Sequence, residues 1–490
     1  MEKGVEMSIS GALSSAMQGL RAAGRGSEVI ASNLSNALTP GYGVRSLELS
    51  ADTTATHGGV KIDGVSRLVN ESIVHDKRIA EAGQANASAI LDLYIKIEDL
   101  LGAPDDPASL SAQTAQLEKN LITAASRPDA PERLSTVVAS ARILANTFNE
   151  ASDGLQKVRT TADRTIELQV DQLNNALLQV QELNAQITKT QVQGNNSSGL
   201  LDLRQRVIDE ISVLVPVRTV ARDNGQVAIY STGGAVLLDS LAAEIGFERS
   251  NLVTPYMSES AGTLSGLTIN GIAFRTGSSS GVLSGGSIAA QFEIRDEIAV
   301  EAQAQIDALA RDLVERFQDP AVDPGLAIGD AGLFTDEGNF FDPANENGLA
   351  QRLVLNAAVD PDQGGETWRL RDGINAAGPG DVGDATLLNN MISALSTGRV
   401  SSSGIFSGGS YSTIDLTSTL TSHYGAERLN AEQIQSFSAT QVTELTERLL
   451  SEGVDSDQEL QKLLLVEQAF AANARMVQAV DEMMQTLLRI

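Results

Sequence analysis

Near the start of the chain, apolar residues recur in steps of four and three: Ile9, Leu13, Ala16, Leu20, Ala23, then Ser27, Ile30, Leu34 and Ala37. That spacing predicts an amphipathic helix with a coiled-coil-like seam. Gly11, Gly19, Gly24 and Gly26 interrupt it. Each lowers helicity by about 1 kcal/mol relative to Ala, so this helix needs a partner to be stable. The last segment mirrors the first. Leu463, Val466, Phe470, Asn473, Val477, Val480, Met484 and Leu487 form one seam. Leu465, Ala469, Ala472, Met476, Ala479, Met483 and Ile490 form a second stripe. An apolar surface that wide is more than a helix with one side in water carries. Each terminal helix is therefore expected to cover the other.

Between them the helical period continues. A helix is expected from Glu81 to Leu101, where two prolines in "GAPDDP" stop it. Pro131 and Pro216 bracket a proline-free region with one seam from Leu134 to Val158 and another from Ile166 to Ile187. The register shifts near Ala162 to Ile166, as in a coiled-coil stutter. "QGNNSSG" makes a turn, and Leu200 to Val215 begins another helix. After Pro216 the period becomes that of strands, with hairpin turns at Asn224-Gly225 and Asn270-Gly271. Helix returns from Ile288 to Phe317 and again around Ala431 to Leu450. The stretch between is Gly-, Asp- and Ser-rich, with short strands and a helix near Ala385 to Leu395.

The expected fold class is mainly α with a β-rich insert. The N- and C-terminal helices pair as an axial coiled-coil domain, beside a long-helix bundle and an outward β-rich domain. The segments are an N-terminal axial helix and corner (1–50), a helical bundle (51–215), a β-rich domain (216–287) and a returning bundle helix (288–317). A loop- and β-rich outer region (318–425), a second helical return (426–455) and the C-terminal axial helix (456–490) complete the order.

Composition narrows the function classes. Of 490 residues 42% are hydrophobic, but only 4% are aromatic, which points to helices packed through Leu, Val, Ile and Ala. The formal net charge of −28 disfavours nucleic acid and anionic membrane surfaces as partners, because both need a basic face. With no cysteine there is no disulfide, thiolate metal site or thiol nucleophile, which suits a chain that crosses a membrane unfolded. The N-terminus lacks the apolar core of a secretory signal, and Met7 is a plausible alternative start. No apolar run reaches membrane-spanning length.

Chemical motifs fail on context. Gly378 to Gly383 matches GxGxxG, but no apolar strand precedes it and a proline sits inside. Gly277 to Gly281 matches GxSxG within a serine run, and His57, His75 and His423 are scattered. Asp360, Asp362 and Gly365 have EF-hand offsets, but Arg371 stands where a bidentate Glu belongs. No catalytic, cofactor-binding or metal-ligating residue is expected.

One short stretch decides the reading. "SNLSNALTPGY" ends the first helix at Thr39, Pro40, Gly41 and Tyr42. Pro40 disfavours helix at Thr39, and Pro40-Gly41 forms a type II turn with Gly41 at the positive-φ position. This resembles the motif near the N-terminus of bacterial flagellar axial proteins. "SRPDAPERLSTVVASARILANTFN", "GLLDLRQRVIDEISVLVPVRTVARDNGQVAIYSTGGAVLLD" and the closing "LLLVEQAFAANARMVQAVDEMMQTLL" are similar to one family, the flagellar hook-associated FlgK proteins. The resemblance covers most of the chain outside about 318–421. It departs in the Gly-rich first seam, in six extra leading residues and in Gly43-Val44 after the corner, where Arg45 takes the basic part.

What the resemblance implies is a structural subunit without catalysis, at the first hook–filament junction of the extracellular flagellum. Its members leave by type III export without a cleaved signal and self-assemble in a helical ring through paired terminal helices. Implied partners are further copies of itself, hook protein, the second junction protein (hook-associated protein 3) and an export chaperone on the C-terminal helix. The axial assembly seam would be Ile9, Leu13, Leu20, Ile30 and Leu34 with Leu463, Val466, Phe470, Val477, Val480, Met484 and Leu487. A hook or rod protein, or a type III-secreted coiled-coil adaptor, is the alternative.

Overall fold

The computed structural model describes residues 9–52, 58–103, 105–274, 276, 281–406 and 408–489, without the side chains of 487 and 488. Helix α1 (Ile9–Ser35) turns into the hairpin β1 (Val44–Ala51) and β2 (Val60–Leu68). Helices α2 (Glu71–Leu101), α3 (Leu110–Ala125), α4 (Pro131–Val192) and α5 (Ser198–Leu214) follow. Strands β3 (Val217–Ala221), β4 (Val227–Ser231), β5 (Val236–Asp239) and β6 (Leu241–Ala242) make one antiparallel sheet in sequential order. Strands β7 (Ile245–Gly246), β8 (Leu267–Ile269) and β9 (Ile272–Phe274) make another. Helix α6 (Ser287–Glu293) widens to a π turn at Ile294–Ile298 and runs on as α7 (Ala299–Phe317). Short pieces come next: β10 (Phe334–Asp336), α8 (Leu349–Arg352), β11 (Leu353–Leu355), α9 (Arg369–Asp372), α10 (Thr386–Ser396), β12 (Arg399–Val400) and β13 (Ser410–Tyr411). The chain closes with α11 (Thr413–Ser451) and α12 (Ser456–Leu488). The fold is mainly α with small sheets, as the periodicity predicts.

Two compact units divide the chain. The first comprises 9–84, 172–244 and 438–489 among the described residues: α1, the β1–β2 hairpin, α5, the four-stranded sheet, α12, and parts of α2, α4 and α11. The second comprises 85–171 and 245–437. Its core joins Leu93 and Ile97 of α2, Leu117 of α3, Leu144 of α4 and Leu313 of α7. Phe334, Phe341, Leu370, Leu388 and Leu416 belong to the same core, so the loop-rich stretch packs on the helices of its own unit.

Three element boundaries differ from the sequence reading, each for a local reason. The helical bundle expected from 51 begins with a strand instead: Val60 to Leu68 pairs with β1. Its alternation is weak, with Gly64 opposite a bulge at Glu48/Leu49, so the hairpin carries little period-2 signal. Helix α2 starts at Glu71, ten residues earlier than expected. Asn70 Oδ1 accepts from the amides of Ser72 (3.1 Å) and Ile73 (3.3 Å), an N-cap that fixes the start. Helix α11 starts at Thr413 inside the segment read as loop. There Ser412 and Asp415 form a reciprocal capping pair: the Asp415 amide donates to Ser412 Oγ (3.2 Å) and the Ser412 amide to Asp415 Oδ2 (3.2 Å).

The hairpin turns lie where Asn-Gly marks them. Asn270 and Gly271 both have positive φ, 50° and 78°, and join β8 to β9 directly.

Candidate functional site

The residues that carry the corner motif all lie in the first unit. At the end of α1 the Asn36 side chain donates to Ser32 O (2.9 Å), and its amide donates to the same oxygen (3.2 Å). The Ser32 carbonyl in the last turn therefore accepts from two donors of Asn36. Thr39 is tied back to Asn36 twice, amide to carbonyl at 2.9 Å and hydroxyl to Oδ1 at 3.2 Å. The Tyr42 amide donates to Thr39 O (3.2 Å), and Gly41 between them has φ 75°. That is the type II geometry expected for Pro40-Gly41.

Asn33, one position before the expected seam residue Leu34, is the centre of the arrangement and is 1% exposed. Its Nδ2 donates to Arg45 O (2.8 Å) and to Glu459 Oε2 (3.0 Å). Its Oδ1 accepts from the Tyr42 hydroxyl (2.8 Å) and the Arg45 amide (3.0 Å). One buried amide thus uses its full donor and acceptor capacity to join α1, the corner, the start of β1 and the first turns of α12. Glu459, also buried, is held on its other oxygen by Lys462 Nζ (2.6 Å).

Arg45 extends the network. Its guanidinium donates to Ser32 Oγ (3.0 Å) and Asp202 Oδ2 (3.1 Å), and lies 4.8 Å from the Tyr42 ring centre. Asp202 on α5 also accepts from the Gly43 amide (3.1 Å) and from Arg67 Nε (2.7 Å). A Cβ on Gly43 would meet Arg67 and Val69 side-chain atoms at 2.6–2.8 Å, which accounts for glycine after the tyrosine.

Helices α1 and α12 pack along each other. Two of the glycines that weaken α1, Gly19 and Gly26, lie on its contact face with α12. A Cβ on Gly19 would lie 2.6 Å from Asn473 Nδ2, and one on Gly26 would touch Val466 at 3.5 Å. Of the expected seam, Ile30 and Val480 are buried. Ile9, Leu13, Leu20, Leu463, Val466 and Val477 are half-buried. Within one chain Leu34, Phe470 and Met484 face outward, and the side chain of Leu487 lies outside the described residues. The second stripe of α12 is open to solvent: Leu465 is 65% exposed, Met476 51% and Met483 47%.

Sequence reasoning missed Asn33, Glu459 and Asp202, and took Gly43 only as a departure from the family pattern. A signal existed for two of them. Asn33 follows Val29 and Ile30 on the buried face of α1, and Glu459 extends the Leu463–Val466 seam by one turn. No local pattern marks Asp202.

Other motifs resolve into loop chemistry. Asp360 caps a short turn by accepting from the Asp362 amide (3.1 Å) and pairs with Arg142. Asp372 Oδ2 accepts from the Gly380 amide (3.1 Å) inside the GxGxxG match. Ser278 to Ser280 of the GxSxG match lie outside the described residues. Among the described residues no group of three His, Asp or Glu side chains is placed to hold a metal ion, and no helix is long and apolar enough to cross a membrane.

The family model "Flagellar hook-associated protein FlgK helical domain" matches residues 94–320, and "Flagellar basal body rod FlgEFG protein C-terminal" matches 446–490. Flagellar hook-associated protein 1 of Bacillus subtilis is 24% identical over 94% of this chain and 94% of its own length. The protein of the same name from Escherichia coli is 26% identical over 48% of this chain and 44% of its own length. Among solved structures, the flagellar hook junction protein FlgK from Burkholderia pseudomallei aligns with a TM-score of 0.44 at 21% identity, over 53% of this chain and 46% of that one.

Proposed function

We propose that this chain, which belongs to the FlgK family of flagellar hook-associated proteins, is a structural subunit of the bacterial flagellum set where hook meets filament. The observation that carries the reading is the pairing of α1 with α12 through Asn33 and Glu459, with the second stripe of α12 left in solvent. An exposed row of Leu and Met on a terminal helix is a liability in an isolated chain and a contact in an assembly. Contacts that repeat head to tail without closing build a helical zone. In that zone the seam of Ile9, Leu13, Leu20 and Ile30 against Leu463, Val466, Val477 and Val480 holds each subunit's terminal helices together. Leu34, Phe470, Met484 and the second stripe are then left for neighbouring copies.

In this reading the chain leaves the cell unfolded by type III export and works outside it, without catalysis. Hook protein adjoins it on one side and hook-associated protein 3 on the other. A chaperone covers α12 before export. The lack of cysteine supports unfolded passage, since no disulfide has to form or break.

A hook or rod protein is the second reading, favoured by the match of 446–490 to the C-terminal segment of rod proteins. The match of 94–320 to the hook-associated helical domain weighs against it. Disrupting the gene separates them. Hooks without filaments, with flagellin lost to the medium, support the junction reading. Absent hooks support the rod or hook reading, and normal filaments overturn both.

A further inference from the structure

A cleft of about 350 Å³ opens in the first unit between β2, α2, α5 and β3. Three arginines line it: Arg67 from β2, Arg78 from α2 and Arg204 from α5. Two of them are matched to carboxylates. Arg67 Nε donates to Asp202 Oδ1 (2.7 Å) and Arg78 Nε to Asp209 Oδ1 (2.6 Å). Arg204 is different. Its Nη1 donates to Asn184 Oδ1 (2.8 Å) and Gly225 O (2.6 Å), both neutral. Among the described residues it pairs with no carboxylate, and its Nε and Nη2 are left for another partner.

Charge in the neighbourhood does not balance. Arg45 and Arg67 share Asp202, Arg78 takes Asp209, and Glu71 is the lone acid on the cleft wall. Four guanidiniums thus stand against three carboxylates, and the surplus sits at Arg204. Burial, with the like charges of Arg67 and Arg78 and against the opposing pull of Glu71, brings the Arg204 pKa down to about 10. It remains protonated at neutral pH, so an anion on its open edge would relieve the remaining like-charge repulsion. A guanidinium with one edge open fits an oxyanion with two parallel hydrogen bonds.

We propose that this cleft binds a single oxyanion, a carboxylate or phosphate group, on the open edge of Arg204. The cleft has ample volume for such a group together with water. The oxyanion comes either from solution or from an acidic side chain of a neighbouring copy, since the chain carries 63 Asp and Glu residues.

The test is titration calorimetry of the full chain with inorganic phosphate at constant ionic strength, paired with sedimentation equilibrium without phosphate. Two variants accompany it. Arg204→Gln removes the charge and leaves the fold's neighbouring pairs intact. Thr219→Glu places a carboxylate on the β3 wall of the cleft and fills the site from within. One-site phosphate binding, weakened at least about tenfold in Arg204→Gln and abolished in Thr219→Glu, establishes a site for free oxyanions. No phosphate binding, but self-association of the wild type that both variants weaken at least about tenfold, establishes a neighbour's carboxylate as the occupant. Thr219→Glu also raises Tm in either case, which keeps the test decisive should Arg204→Gln fail to fold. If neither phosphate binding nor self-association differs between wild type and Thr219→Glu, and Tm does not rise, the proposal is overturned.

Discussion

Asn33 Nδ2 donates to Glu459 Oε2 at 3.0 Å, joining two residues 426 positions apart in the sequence. The bond is buried and charge-assisted, and the other contacts of Asn33 fix the corner and the start of β1. The corner and the closing helix are thereby parts of one device: bending the chain at Pro40 and docking α12 use the same amide.

Replacing Asn33 tests that coupling. Asn33→Ala loses four hydrogen bonds and leaves Glu459 short of a partner, a loss of roughly 2–4 kcal/mol. Asn33→Asp costs more, because a second carboxylate then faces Glu459. Glu459→Gln added to Asn33→Asp recovers part of the loss, since its amide donates where the carboxylate repelled. Hydrogen exchange of 456–480 reads each variant, with faster exchange in Asn33→Asp than in Asn33→Ala and slower exchange in the double variant.

The glycines of α1 divide by what faces them. Gly24 has open space, so Gly24→Ala gains helicity and stabilises by about 1 kcal/mol. At Gly19 the same Cβ meets the Asn473 amide, and a β-branched side chain has no room. Gly19→Val therefore loosens α12, and thermal melts of the two variants shift in opposite directions.

Gly41→Ala places a side chain at φ 75° and sets its Cβ 2.7 Å from Arg206 Cγ. The left-handed conformation alone costs about 1–2 kcal/mol for a residue with a Cβ. The expected outcome is a lower Tm by that amount or more, whereas Ala at the open position of Gly24 raises it.

The two terminal helices, the corner, the hairpin turns and the long helices were legible in the sequence, because each is a local pattern. What was not legible follows from contacts between distant segments. Asn33 reads as a polar interruption until Glu459 is brought beside it. The gap at Gly19 reads as a weak helix until Asn473 fills it. The capping pair Ser412–Asp415 was a readable signal hidden by glycine- and serine-rich flanks. In the second unit, a stretch poor in helical period gains its order from Phe334, Phe341 and Leu370 docking on helices elsewhere in the chain.

The second unit carries its own pH dependence. Asp307 accepts from the amides of Gly348 (2.7 Å) and Ala350 (2.8 Å) and from the Gln303 side chain (3.0 Å), yet burial raises its pKa to about 6. A carboxyl raised in the folded state binds its proton more tightly there than in the unfolded chain. Its stabilising contribution is full below about pH 4 and is lost as pH rises through 6. Asp307→Asn removes that titration. The wild type's stability margin over Asp307→Asn is expected to shrink by roughly 2–3 kcal/mol between pH 4 and pH 7. Trp368, the only tryptophan, lies in the same unit and reports its unfolding by fluorescence.

In the proposed assembly the solvent-facing stripe of α12 contacts neighbouring copies at the hook–filament junction. Met476→Glu with Met483→Glu alters only exposed positions and leaves Asn33, Glu459 and the α1 contact untouched. The decisive measurement is electron microscopy of a strain whose only copy carries both changes, with flagellin assayed in the medium. The expected outcome is exported chain, intact hooks, no filaments and flagellin shed into the medium. Full-length filaments on normal hooks would overturn that role for the stripe.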